Sequence, residues 1–245
     1  LDAVSRGNDF VLIGATFAIS PLGILSLGSN PIKKAADIVG KKILAQGAKE
    51  RKAIAATLKL NKLPNNWQSV PAGYSPEPLL NKQGAGYTAF GTNQAVALEL
   101  KGLKRGKDFH FVSFADLGYR SYGSIIFTTR KYLKANRAAV VGFMRAVTKG
   151  WTENAKDPKV AASLAVKKFG ADLGLNPKQQ VRQNQIQIAM MKDPSNPNQR
   201  YLVIDPATIS GPLYAAAKAT GRKNLPPVSK LADPTVMQEV YRSLK

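Results

Sequence analysis

KKILAQGAKERKAIAATLKL, residues 41–60, decides how this chain is read. Ile43, Leu44 and Ala45 make a short apolar run that stops at Gln46-Gly47, and from Ala48 onward Ile54 and Leu58 recur at helical spacing. The pattern predicts a strand, a glycine turn and a helix. The first amides of such a helix have no internal partner and sit at the positive end of its dipole. They can accept a carboxylate, phosphate, sulfonate or ring carbonyl, and Gly47 lets a ligand approach the backbone closely. The same pattern also serves as a routine strand-to-helix turn in a parallel sheet, and one glycine does not separate the two readings. Gln46, Gly47 and Ala48 are the first candidate ligand contacts.

Upstream, residues 11–15 read as a buried strand that ends in Thr16-Phe17-Ala18-Ile19-Ser20-Pro21. A polar and aromatic cluster at the carboxyl end of a strand is where ligands sit in open α/β sheets. Residues 23–27 look like a second strand, and Asn30-Pro31 is placed to cap a brief helix running to Val39. Downstream, a strand is expected around residues 67–70 and a short helix after Ser75-Pro76. Residues 87–90 are strand-like, Gly91 turns, and Thr92 is expected to cap a helix over residues 93–101 that Gly102 ends. Thr92 and Asn93 are thus delivered by a strand to a helix start, as ligand contacts or as caps alone.

A third such place follows the strand expected at residues 110–115. Asp116-Leu117-Gly118-Tyr119-Arg120-Ser121-Tyr122-Gly123 is dense in aromatic and polar side chains. Tyr119 and Tyr122 can stack on a flat ring, and Asp116 can take a ring N–H or an amine. The competing reading is a surface turn with Asp116 as its cap. Beyond a strand at residues 124–128 the chain turns helical. Val140, Met144, Val147 and Trp151 fall on one stripe of a helix opened by Asn136, which makes Trp151 a core residue. Asp157-Pro158, Asn176-Pro177, Asp205-Pro206 and Asp233-Pro234 repeat one device, a capping side chain followed by a first-turn proline.

Composition narrows the function classes. With 245 residues, 44% hydrophobic and 21% charged, the chain can bury a substantial core as one large domain or two small ones. It has no cysteine, so disulfides, thiolate metal sites and a cysteine nucleophile are excluded. His110, the single histidine, sits inside an apolar strand and reads as structural. No catalytic residue, metal site or cofactor is expected. Lysine and arginine number 36 against 15 acidic residues, a formal charge of +21. Nucleic acid, an anionic surface and an anionic ligand all compete for that charge. The basic residues come as scattered pairs such as Lys33-Lys34 and Arg222-Lys223, so a basic solvated surface is favoured and no specific nucleic-acid partner is expected. No apolar run reaches the roughly 20 residues of a bilayer span. The chain opens at Leu1 without methionine, and an upstream segment removed or missing is expected.

Ile32-Lys-Lys-Ala-Ala-Asp37-Ile-Val-Gly40-Lys-Lys-Ile43, Tyr87-Thr-Ala-Phe-Gly-Thr-Asn93-Gln94 and Phe143-Met-Arg-Ala-Val-Thr-Lys-Gly150-Trp151 together resemble the substrate-binding proteins of bacterial ABC importers. The likeness is to their NMT1/THI5-like branch, with thiamine-pyrimidine-precursor, sulfonate, nitrate and riboflavin binders. It implies a two-lobed α/β, periplasmic-binding-protein-like (type II) fold with two crossover segments, near residues 20–27 and 123–130. Lobe 1 would combine residues 1–23 and 127–245, its amino-terminal part lying upstream of Leu1, and lobe 2 would span 24–126. A small molecule would bind between the lobes at Gln46, Gly47, Ala48, Thr92, Asn93, Asp116, Tyr119 and Tyr122. The implied protein is a periplasmic or extracellular monomer, anchored through the upstream segment if at all, that serves an ABC permease. Two rivals stand beside it: a pyrimidine-synthase-like enzyme on the same scaffold, and a basic module for nucleic acid or surfaces. Relatives carry acidic residues where this chain has Gly86 and Asn93-Gln94, which argues against a cationic amine as ligand.

Overall fold

In the computed structural model, which describes residues 1–244, the chain builds two separate sheets. Strand β1 (Phe10–Phe17) pairs antiparallel with β7 (Gly123–Thr129) to form the two-stranded one. Between them in sequence lie β2 (Leu22–Leu27), β3 (Lys42–Ala45), β4 (Gln68–Pro71), β5 (Gly86–Phe90) and β6 (Phe109–Ser113), which form a five-stranded sheet in the order β4-β3-β5-β2-β6. Alternation explains why this sheet is covered on both faces. On β2, Leu22 and Ile24 pack with Ile43, Ile54 and Leu58, whereas Leu25, on the opposite face, packs with Leu44, Tyr87 and Leu98.

The opening stretch folds as its pattern predicts. Ile43, Leu44 and Ala45 are buried in β3, Gly47 occupies the cap position, and Ala48–Leu60 is a helix that buries Ile54 and Leu58. β3 runs parallel to both β4 and β5, while β2 runs antiparallel to β5 and β6. The carboxyl ends of β3, β4, β5 and β6 and the amino end of β2 therefore share one side of the sheet. That side faces the end of the small sheet where Phe17 of β1 pairs with Gly123 of β7.

All of β2 belongs to the large sheet and all of β7 to the small one. The chain thus crosses between sheets at residues 18–21, overlapping the start of the expected segment 20–27, and at 114–122, just ahead of the expected 123–130. A hydrogen bond from the Ser20 N–H to the Ser121 carbonyl (2.9 Å) ties the two crossings together.

Around the small sheet, Val11 and Ile13 pack with Val140, Met144, Val236 and Val240. Val147 and Trp151 join this core from the helix Arg137–Lys156, completing the expected stripe. Three of the four proline-linked caps form, with Asp157, Asn176 and Asp205 accepting the backbone N–H groups of Lys159, Gln179 and Ala207; at the last helix Pro234 holds the cap position, and Asp233, one residue earlier, accepts the Thr235 N–H. Two further expectations are corrected. The helix after Asn30-Pro31 is only a 3-10 turn, Ala35–Ile38, held by the Asp37 carboxylate accepting the N–H groups of Lys33 and Lys34. The helix opened by Asp205 widens into a π turn at Ile209–Leu213, where Pro212 has no N–H for the regular ladder. No helix among the described residues is long and apolar enough to cross a membrane.

Candidate functional site

Where the two crossings meet the strand ends of the large sheet, they enclose a cavity of about 390 Å³. Ser20 and Pro21 line it from the first crossing, Phe114, Tyr119, Ser121 and Tyr122 from the second. Lys49 enters from the first turn of the Ala48–Leu60 helix, and Phe90 from the end of β5. The crossings are pinned to the large sheet by Gly91 N–H to the Pro21 carbonyl (2.9 Å) and Phe114 N–H to the Leu22 carbonyl (3.0 Å).

Tyr119 follows Gly118, whose φ of +92° turns the chain back under Phe114. The Tyr119 and Phe114 rings meet edge to face, 6.3 Å between centroids at 84°. Burial pushes the Tyr119 hydroxyl above the ordinary tyrosine range, against the opposing pull of the Arg222 charge. Burial also raises Tyr122, whose oxygen accepts the Asp205 N–H at 3.0 Å. Both hydroxyls stay protonated at neutral pH and so keep a proton to donate. Among the described residues Lys49 is the one charged side chain in the cavity wall, which holds no histidine, cysteine or carboxylate.

Of the eight residues picked from the sequence, Tyr119 and Tyr122 stand in this wall. Gly47 and Ala48 lie immediately before Lys49, at the helix end facing the same junction. The other four have side chains committed within the protein or buried. Gln46 donates its amide to the Thr88 carbonyl and accepts the Thr88 hydroxyl, so it braces β3 against β5. Asp116 accepts the Ser113 hydroxyl at 2.7 Å and the Ser113 N–H at 3.3 Å, the local cap that was the alternative reading. Thr92 is buried and is not the cap: the helix is Gln94–Leu100 with Asn93 at the cap position, and Gln94 accepts the Phe90 N–H instead. Asn93 Oδ1 accepts a hydrogen bond from Gln179 Nε2 at 2.9 Å.

Lys49, Phe90 and Phe114 were missed by the sequence reading. Each lies within two residues of a chosen position, so the three turns were legible but not which side chain in each turn faces inward. His110 lies in β6 opposite Ser26, away from the cavity wall. No group of three or more histidine and acidic residues able to hold a metal exists among the described residues.

Polar links join the helical region around the small sheet to the large sheet's unit and to the second crossing. Asn93 meets Gln179, Glu99 meets Arg182 (3.1 Å), and Arg120 of the second crossing pairs with Asp193. Burial works against ionisation of Asp193, but hydrogen bonds from Ser195 and the charge of Arg120 outweigh it and hold the carboxyl below the usual range. Asp233 behaves alike: burial is outweighed by hydrogen bonds from Thr235 and by Arg137. A depressed folded-state pKa contributes stability that is complete above the unfolded value near 4 and is lost as pH falls through the folded one. Urea midpoints are therefore expected to hold steady from neutrality to about pH 4 and to drop below it, less steeply in an Asp193→Asn variant; parallel curves for the two proteins would refute this.

A family model described as NMT1/THI5 like matches residues 1–161. No curated protein matches the chain by sequence. The structure of a ligand-binding component of an ABC-type import system from Staphylococcus aureus, with zinc bound, is similar at a TM-score of 0.65 and 11% identity, covering 98% of this chain and 77% of that one. The alkanesulfonate-binding protein SsuA from Xanthomonas axonopodis pv. citri, bound to MOPS, gives a TM-score of 0.59 and 15% identity over 94% and 76% of the two chains. The desulfurization enzyme DSZB gives 0.58 and 13% over 97% and 80%. At such identities the likeness is one of fold, and the fold is the two-lobed α/β, type II architecture that the resemblance implies.

Proposed function

This chain belongs to the NMT1/THI5-like family, and from that premise we propose that it is an extracytoplasmic solute-binding protein delivering a small flat heteroaromatic or anionic nutrient to an ABC permease. The observation that carries the proposal is the cavity of about 390 Å³ at the junction of the two sheets, with tyrosines on one wall and a single cation on another. Its size suits one small ligand. Tyr119 and Tyr122 stack on a ring or donate to its polar edge, while Lys49 and the first turn of its helix attract negative charge. The lobes in this reading follow the sheets: one spans about residues 22–113, and the other combines the chain before residue 18 with the chain after residue 122.

Delivery then works by closure. A ligand that touches both lobes binds the closed form better than the open one and shifts the population toward it. The Asn93–Gln179 and Glu99–Arg182 links are contacts of the kind that closure would make and opening would break.

The SsuA and DSZB neighbours point to different occupations of one scaffold, transport and catalysis. For this chain the wall chemistry supports binding. General acid–base catalysis needs a group that changes protonation near neutral pH, and the lining tyrosines are pushed away from it. A thermal-shift screen against pyrimidines, flavins, sulfonates and nitrate tests the proposal. A cognate ligand at about 100 times its dissociation constant adds about 2.7 kcal/mol, which for a chain of this size raises the melting temperature by roughly 5–10 °C. Silence from every class would overturn it.

A further inference from the structure

Behind Tyr122 lies a second and larger cavity, of about 600 Å³, between the second crossing, the loop after Asp193 and the helix Thr235–Arg242. Tyr122 lines both cavities and so forms a wall between them. The larger one has an apolar side made by Val203, Ile204, Met237 and Tyr241. Its four charged side chains, Arg120, Asp193, Arg200 and Asp205, sum to zero but are not all paired. Asp193 is occupied by Ser195 and Arg120, and Asp205 by Ala207 and Thr208. Arg200, by contrast, has no carboxylate partner among the described residues, and its guanidinium lies 4.8 Å from the centroid of the Tyr241 ring. Asp205 keeps its charge, but its two oxygens are taken up by the start of its own helix, whereas Arg200 lies against Tyr241 on the apolar side with its N–H edge unclaimed by a carboxylate among the described residues.

We infer that this cavity is a second binding site, distinct from the cleft at Lys49, for a flat aromatic monocarboxylate whose carboxylate pairs with Arg200 and whose ring lies against Tyr122, Val203 and Met237. A guanidinium already lying over a ring presents its N–H edge in a fixed plane, which suits a carboxylate. The volume falls in the range that encloses a small organic molecule. Because Tyr122 is shared, an occupant here restrains a side chain of the first cleft, so filling one site alters affinity at the other.

The chain has four methionines, and Met237 alone among them lines this cavity; Met144 shares its core cluster but stands outside the cavity lining. Methyl NMR of methionine-labelled protein titrated with 2-naphthoate reads the site directly. The expected result is a saturable ring-current shift of the Met237 methyl with Met144 unmoved, and a half-saturation raised about tenfold or more by Arg200→Gln. The neutral 2-naphthamide should need about as high a concentration as that variant does for the carboxylate, and Lys49→Glu should leave the Met237 titration in place. Three outcomes would overturn the inference: no Met237 shift at millimolar 2-naphthoate, an Arg200→Gln titration matching the parent, or loss of the shift with Lys49→Glu. None of these depends on finding the nutrient of the first cleft.

Discussion

Gly23→Ala is expected to destabilise the protein by roughly 3 kcal/mol, lowering its melting temperature by about 6–12 °C. Gly23 lies in β2, between β5 and β6, opposite Ala89 and Ser113. An added Cβ would stand 2.2 Å from the Val112 carbonyl oxygen, 2.7 Å from Phe111 Cζ and 2.8 Å from Ser113 Cα. Two of those three atoms are backbone of the neighbouring strand, which cannot swing aside as a side chain does. Relief requires β6 to move, and β6 leads into the crossing that carries Phe114 and Tyr119, so ligand binding should fall with stability. Gly142→Ala is the control. Gly142 sits in the helix Arg137–Lys156 with nothing within 4 Å of an added Cβ, and alanine there should stabilise by about 0.5–1 kcal/mol. Melting curves of the two variants that coincide with the parent would contradict the strand spacing on which the cleft depends.

Lys49→Glu is expected to weaken an anionic ligand of the first cleft about a hundredfold while leaving a neutral ligand of the same shape little changed. Lys49 is exposed overall although it lines the cavity, so solvent screens its charge and its pairing with an anion is worth roughly 1–2 kcal/mol. Reversing the sign removes that attraction and adds a repulsion of similar size, about 3 kcal/mol together, or two decades in affinity. The variant should fold as the parent does, because no apolar packing is lost. Isothermal titration with whichever anion the thermal screen finds checks this. An unchanged dissociation constant would move the anion's counter-charge away from Lys49.

The two predictions draw on different kinds of information, and the sequence supplied them unequally. Lys49 lies inside the stretch 41–60, one residue past Ala48, yet the sequence points to Gln46, Gly47 and Ala48 in its place. Hydrophobic period locates a turn to a residue or two. It says nothing of which polar group in the turn a neighbouring strand will claim, and Thr88 claims Gln46. Asp116 shows the same competition on a smaller scale, since Ser113 lies three residues before it and satisfies its carboxylate locally. Tyr119 and Tyr122, which the sequence singles out as an aromatic pair between two glycines, do stand in the cavity wall. Arg200 and the cavity behind Tyr122 gave no signal in sequence, for their partners come from residues 122, 203 and 237–241.

From the residues alone came the alternation and helical period of each element, three of the four proline-linked caps and the order of segments that marks the family. These are local properties, fixed by interactions a few residues apart, and they survive whatever the rest of the chain does. Only the tertiary structure decided where the chain crosses between sheets, which side chains face the cleft and how its charges are divided between two cavities. Those depend on strand pairing and on competition for hydrogen-bond partners far apart in sequence, as when Gln179 reaches Asn93 or Asp193 meets Arg120.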